Sequence, residues 1–343
     1  MNENLITVLD QNTFKWIITG VAGFIGSNIL EILLKHNQEV IGIDNFETGH
    51  KKNLVDVQNK LSEKDWQRFN FYELDINDYD VIQPIFKNTD FVLHQAALGS
   101  VPRSLKDPLR TNSVNINGFL NVIHASKENN VRGFIYAASS STYGDHKELP
   151  KKENVIGNPL SPYALTKYTN ELYAKIYSEE FGLRSIGLRY FNVFGKRQDP
   201  NGAYAAVIPL WINSILQNKD IYINGDGSTT RDFCYIKNAV EANILSALNI
   251  GNQENQFEVF NIAFGESNSL YTLSNLIVSI LEEHGHIYPK KPIYRDFRAG
   301  DIKDSLADIS KAKNLISYTP FYSLEDGLRE CIPWYMDNRK KNA

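Results

Sequence analysis

Three glycines, Gly20, Gly23 and Gly26, separate a short apolar run at 14–19 (FKWIIT) from an amphipathic stretch at 24–36. This arrangement limits the possible folds more than any other feature. A strand that turns straight into a helix needs a turn without bulky side chains. Gly20 allows the tight turn, Gly23 lets the backbone approach a ligand, and Gly26 lets the helix pack on the sheet. The free N–H groups and dipole of the helix N-terminus can then hold a pyrophosphate. Phe24 and Ile25 lie in the same loop. Asp44 ends the next apolar run, 18 residues after Gly26. A carboxylate there can accept hydrogen bonds from ribose hydroxyls and would repel a 2′-phosphate. Asn45 and Phe46 follow it and supply no cation, so NAD is favoured over NADP. The other reading of Asp44 is an N-cap or turn aspartate.

The same alternation continues along the chain. Strands are predicted at 39–44, 69–75, 90–96 and 133–139, with helices between them, most clearly at 113–127. A helix is predicted at 162–181, with Ser161 as N-cap, Pro162 just inside and Gly182 at its end. A sixth strand is predicted at 184–193. Strands alternating with helices imply a doubly wound parallel sheet of the α/β class. After Gly195 the rhythm is lost in the turn-rich segments RQDPNGAY and NGDGSTTRD. One more strand is predicted at 258–263 and a helix at 271–284, and about the last 75 residues read as short helices and loops. We therefore expect a dinucleotide-binding domain from 1–194 plus about 237–265. A smaller α/β C-terminal domain is expected from 195–236 plus about 266–343.

A length of 343 residues suits one large and one smaller domain. A net charge of −4 argues against nucleic acid or a membrane surface as partner. The two cysteines, Cys234 and Cys331, have no metal-ligand spacing around them and suit a reducing cytoplasm. No signal-peptide pattern opens the chain, and no apolar run is long enough to span a bilayer. The expectation is a cytoplasmic protein without a metal.

Tyr163 and Lys167 stand four apart on the predicted 162–181 helix, and so share a face. Ser139, Ser140 and Ser141 end the fifth predicted strand, at the edge where open α/β sheets bind ligands. Together these residue types suit oxidation of an alcohol by hydride transfer, with a base taking the hydroxyl proton. A tyrosine serves as base only if its pKa falls from about 10 toward neutrality, at a cost of about 4 kcal/mol. A lysine about 4 Å away supplies about 4 kcal/mol at an effective dielectric near 20, but about 1 in water. The pair therefore needs a partly desolvated site. A serine hydroxyl can hold the reacting oxygen and relay its proton; which of the three does so stays open. The alternative is an aromatic packed beside a snorkelling lysine.

The motifs TGVAGFIG, DNF, LDI, HQAA, SSSTYGD, SPYALTK, LRYFNVFG, RDFCYI and RAGD resemble those of the extended short-chain dehydrogenase/reductases. Nearly the whole chain is covered by this resemblance. Within that group the chain is most similar to the UDP-N-acetylglucosamine 4-epimerases of bacterial O-antigen and surface polysaccharide synthesis. They share QAALGSVPRS, AASSSTYGDH and GRRQDPNGAYAAVIP, with Lys196 here replacing an arginine. The resemblance implies a Rossmann-type fold and NAD-dependent epimerisation at C4 of a UDP-sugar through a 4-keto intermediate. By resemblance the cofactor set also includes Asp75 and Ile76 at the adenine, Gln95, Ala96 and Ala97, and Asn112 on the nicotinamide side. The substrate set includes Gly99, Ser100, Arg103, Ser139, Ser141, Asn192, Ala206, Val207, Tyr222, Arg231, Arg298, Asp301 and Ser305. Arg231 and Arg298 would clamp the diphosphate, a task that guanidinium geometry suits. Related dehydratases carry an Asp-Glu pair, and decarboxylases a Glu, where this chain has Ser140 and Ser141. That difference favours epimerisation. Hexose-only members place large residues at the positions of Gly99 and Ser305 and an Asn at that of Ala206, so the resemblance implies that three small residues here leave room for a 2-acetamido group. A uronic acid stays open through Arg103, Arg295 and Arg298, as do UDP-Glc/UDP-Gal as substrates. A protein that binds NAD without turnover is a further alternative. Related enzymes dimerise through two helices matching 104–128 and 162–180, which implies a homodimer.

Overall fold

The computed structural model describes residues 3–202, 205–252, 254–297 and 303–342. Six strands form in the first part of the chain: β1 (Lys15–Thr19), β2 (Glu39–Asp44), β3 (Phe69–Glu73), β4 (Phe91–His94), β5 (Gly133–Ser139) and β6 (Ser185–Tyr190). The Phe257–Ile262 strand joins them in a seven-stranded sheet. Its order is Phe257–Ile262, β6, β5, β4, β1, β2, β3. Every neighbouring pair is parallel. The order reverses between β1 and β4, so the loops leaving those strands diverge and open a crevice. This is the expected Rossmann-type α/β fold.

Both faces of the sheet are covered over all strands but the edge strand β3, so the inner strands read as nearly continuous apolar runs. Along β1, Trp16 and Ile18 enter one core while Ile17 enters the other. The first core is closed by the Phe24–Lys35, Val207–Leu216 and Ile236–Asn249 helices, among others. The second is closed by the Phe119–Glu128 and Pro162–Phe181 helices. Asp75 lies beyond the end of β3, in the loop that follows it.

The Pro162–Phe181 helix has the predicted ends. Ser161 Oγ accepts from Ala164 N at 3.1 Å, and Gly182 takes the left-handed conformation with φ 71°. The region 113–127 differs from expectation. It begins as a π-helix, Ser113–Gly118, and becomes α-helical only over Phe119–Glu128. The last part of the chain is also more regular than expected. It holds Leu270–Glu283 and a 19-residue helix, Leu324–Asn342, that passes through Pro333.

A buried ion network joins the first long helix to the segment after Gly195. Glu31 receives Lys196 at 2.8 Å and Arg197 at 2.5 Å, and Arg197 also reaches Asp56 at 2.7 Å. Burial would raise the Glu31 carboxyl, but Lys196 and Arg197 hold it well below the usual carboxylate range. Lys196 is thus a member of this network. Among the described residues no helix is long and apolar enough to cross a membrane, and no group of three metal-ligating side chains occurs.

Candidate active site

The glycine loop is shaped by close approach. Gly20 sits at φ +70°, and a Cβ there would stand 2.7 Å from Ala96 N in the loop after β4. A Cβ on Gly26 would strike the Gly20 carbonyl oxygen. Gly23 is the N-cap of the Phe24–Lys35 helix and offers no side chain to its first N–H groups. Those donors are left for a ligand. Gly20, Gly23, Phe24, Ile25 and Gly26 all line a cleft of about 440 Å³. The open cleft beside these free donors fits a pyrophosphate.

A second, smaller pocket adjoins it, lined by Asp44, Asn45, Asp75, Ile76, Ala96 and Ala97, with Gly20 shared. Asp44 is buried; its carboxylate accepts from Ala22 N at 2.9 Å and Phe46 N at 2.8 Å. Burial pushes its pKa up. The turn role and the pocket role of Asp44 therefore coexist. Burial alone would also raise Asp75, but bonds from Asn77, Arg110 and Asn45 hold it below its usual value. Arg110 further makes a two-pronged contact with Glu47, at 3.1 and 2.5 Å, across the outer rim.

Ser139, Tyr163 and Lys167 meet in the larger cleft. β5 delivers Ser139 at its carboxyl end, and the Pro162–Phe181 helix presents the other two one turn apart. The Ser139 side chain lies near enough to the Tyr163 hydroxyl to favour its ionised form. Ser139 Oγ accepts from Ser141 N at 3.1 Å and Ser141 Oγ at 2.9 Å. Lys167 is buried and its ammonium donates to Ala137 O at 2.7 Å. Desolvation lowers Lys167 to about 8, so it remains mostly charged at neutral pH. In the ligand-free protein burial raises Tyr163, and the neighbouring Ser139 hydroxyl only partly opposes this. A desolvated phenol prefers its neutral form, and the lysine charge is engaged by a carbonyl instead.

Of the three serines, Ser139 alone lines the cleft; Ser140 does not, and Ser141 reaches it only through Ser139. Gln95, Ala97, Gly99 and Asn192 also line it. Asn112 does not. It is solvent-exposed, whereas Asn115 turns inward, accepting from Leu98 N at 2.8 Å and donating to Leu98 O at 3.1 Å. Ser100 caps the Val101–Lys106 helix by accepting from Arg103 N. Ser100, Arg103, Ala206, Val207, Tyr222, Arg231 and Ser305 are not among the residues lining the cleft. Tyr222 lies under Arg295, whose guanidinium carbon is 3.3 Å from the ring centroid. Arg231 donates to Thr230 O and Lys303 O. Arg298 and Asp301 lie outside the described residues. Six lining residues escaped the sequence reading: Thr48, Ala137, Ala138, Tyr190, Val193 and Gln198. Tyr190 and Gln198 belong to the LRYFNVFGKRQ stretch, whose link to the cleft was read only at Asn192.

Residues 16–263 match the family model described as the NAD dependent epimerase/dehydratase family. Among solved structures, the chain is similar to a UDP-N-acetylglucosamine 4-epimerase from Methanobrevibacter ruminantium in complex with UDP-N-acetylmuramic acid. The two are 40% identical with a TM-score of 0.87, over 95% of this chain and 99% of that one. A UDP-glucose 4-epimerase from Thermotoga maritima with UDP-glucose is 33% identical with a TM-score of 0.85, over 95% and 99%. A UDP-glucuronic acid 4-epimerase from Bacillus cereus, in complex with UDP-glucuronic acid and NAD, is 31% identical with a TM-score of 0.80, over 94% and 99%.

Proposed function

Because the chain belongs to the NAD dependent epimerase/dehydratase family, we propose that it is an NAD-dependent UDP-sugar 4-epimerase acting on UDP-N-acetylhexosamines. It interconverts UDP-GlcNAc and UDP-GalNAc through a 4-keto sugar, as a step toward surface polysaccharide precursors.

The observation that carries this reading is the chemistry of the cleft lining. Among the described residues it holds Ser139, Tyr163 and Lys167 but no aspartate or glutamate. Elimination of water or loss of carbon dioxide calls for an acid that this lining lacks. Proton removal and return calls for one reversible group, which Tyr163 supplies. Bound NAD supplies the hydride acceptor and donor. Tyr163 Oη takes the proton from the sugar O4 and gives it back after the 4-keto sugar turns over. Ser139 Oγ holds O4 during both transfers. The Lys167 ammonium stabilises negative charge on the phenol in a desolvated site. The helix N-terminus behind Gly23 holds the cofactor pyrophosphate, and Asp44 the adenosine ribose. Arg231 and Arg298 bind the substrate diphosphate.

Sugar choice follows from space. Gly99 lines the cleft, and a Cβ built there meets nothing within 4 Å. That opening suits a 2-acetamido group. The test is NMR of products from UDP-GlcNAc, UDP-Glc and UDP-GlcNAc uronate with no added redox partner. UDP-GlcNAc should be converted fastest. Gly99→Tyr should reduce UDP-GlcNAc turnover at least roughly tenfold more than UDP-Glc turnover. Three unchanged sugars would defeat the epimerase reading; equal losses on both sugars would defeat the acetamido pocket.

The same reading makes the enzyme a homodimer. Leu165, Leu172 and Ile176 form one stripe on the Pro162–Phe181 helix, at 54%, 46% and 49% exposure. Leu105 and Leu109, on the neighbouring short helices, are exposed as well. A contiguous apolar stripe of this kind marks a covered face. Leu172→Glu with Ile176→Lys should halve the mass found by sedimentation equilibrium. A wild-type monomer, or a variant of unchanged mass, would disprove the assignment.

A further inference from the structure

The structure assigns a positioning role to the buried Glu171–Arg189 ion pair: it sets the relative placement of Ser139 and Tyr163. This rests on the roles proposed above for those two residues.

Glu171 lies on the Pro162–Phe181 helix, one turn beyond Lys167 and about two beyond Tyr163. Arg189 lies on β6, in register with Ala138 of β5, while its neighbour Tyr190 is in register with Ser139. The guanidinium grips the carboxylate with two bonds, Nε to Oε1 at 2.9 Å and Nη2 to Oε2 at 2.7 Å. The two side chains are only 4% and 5% exposed. The remaining nitrogen, Nη1, donates to Glu153 O at 3.1 Å. On its face the same guanidinium packs 4.8 Å from the centroid of the Tyr143 ring. Tyr143 belongs to the 3-10 turn Ser140–Tyr143, which begins directly after Ser139, and its hydroxyl donates to Asn261 at 2.6 Å.

One planar cation therefore touches both carriers of the reacting groups. It holds the helix bearing Tyr163 through Glu171 and the turn following Ser139 through Tyr143. A fork with fixed geometry transmits position as well as charge. Stability alone is a poor reason for such a pair, because desolvation offsets much of its attraction and apolar replacements are often neutral. Catalysis gives a better reason. The Ser139 and Tyr163 oxygens must converge on a single sugar oxygen, and a misplacement of about 1 Å costs about 10²-fold in rate.

The test uses the NAD-loaded full-length enzyme. Four quantities are compared across variants: kcat, KM for the UDP-sugar, bound NAD and Tm. The double variant Glu171→Leu/Arg189→Met replaces the pair with apolar side chains. It should keep NAD, Tm and KM near wild type and lose about 10²-fold in kcat. Arg189→Lys keeps the charge without the fork and should fall between. Wild-type kcat in the folded double variant overturns the inference, as does a kcat loss matched by lost NAD or a collapsed Tm. If the double variant does not fold, Arg189→Lys decides: unchanged kcat at wild-type Tm overturns the positioning role. Tyr163→Phe serves as the separate control. Its retaining activity would overturn the assignment of Tyr163 itself, whatever the pair variants do.

Discussion

Tyr163→Phe should fold, keep NAD and lose turnover by about 10²–10⁴-fold, the range set by removing a positioned acid–base group. The substitution deletes one oxygen and leaves the ring in place. Lys167 keeps its bond to Ala137 O, so the ammonium stays anchored. Ser139 keeps both bonds from Ser141. The loss should therefore appear in kcat with little change in KM for the UDP-sugar. In the ligand-free protein burial raises the Tyr163 pKa. The hydroxyl is thus a base only when the loaded site adds positive charge beside it. Product formation measured by NMR, with bound NAD measured by release and chromatography, checks both halves. Turnover within threefold of wild type would remove Tyr163 from the proton path.

Gly26→Ala should produce protein that retains little NAD and melts early. The added methyl meets only backbone: the Gly20 carbonyl, and Val21 Cα at 2.9 Å. No side-chain rotation relieves such a clash, so the helix must move off the sheet. Overpacking of this kind costs on the order of 1–3 kcal/mol. It also displaces the helix N-terminus from the pyrophosphate, so affinity falls along with stability. Gly99→Ala is the matched control, since a Cβ there has open space. Full NAD occupancy at wild-type Tm in Gly26→Ala would show that the loop tolerates the methyl and that the cradle is misassigned.

The parts governed by local rules were legible from the sequence. β5 spans Gly133–Ser139 as predicted, and the Pro162–Phe181 helix carries its cap, its proline and its closing glycine where local signals put them. The glycine loop was legible because Gly20 and Gly26 answer backbone contacts that a side chain would break, with Gly23 between them at the helix start. Asn112, named by resemblance and not by any local pattern, stands exposed outside the cleft lining, while Asn115 in the π-helix Ser113–Gly118 turns inward. The final helix was obscured by Pro333, which normally signals a break. The sugar side was the least legible. Ala206, Arg231 and Ser305 sit in or beside turn-rich segments without a period, so no pattern fixes which way they face. Resemblance could name them, but only coordinates could show that Gly99, Ser139 and Asn192 share one cleft.

The last strand of the sheet also bears on how the chain is made. β6 is finished at Tyr190, but its outer neighbour is Phe257–Ile262. During synthesis the ribosome must add everything between them before that edge is covered. Over this interval the nascent chain presents a row of unpaired N–H and C=O groups on an apolar strand, a template for joining another copy. The intervening residues include Arg197, whose bonds to Glu31 and Asp56 tie this segment to the Phe24–Lys35 and Lys51–Gln58 helices in the folded chain. The stretch that must be made before the edge closes is therefore one that the finished fold pins to its earliest helices.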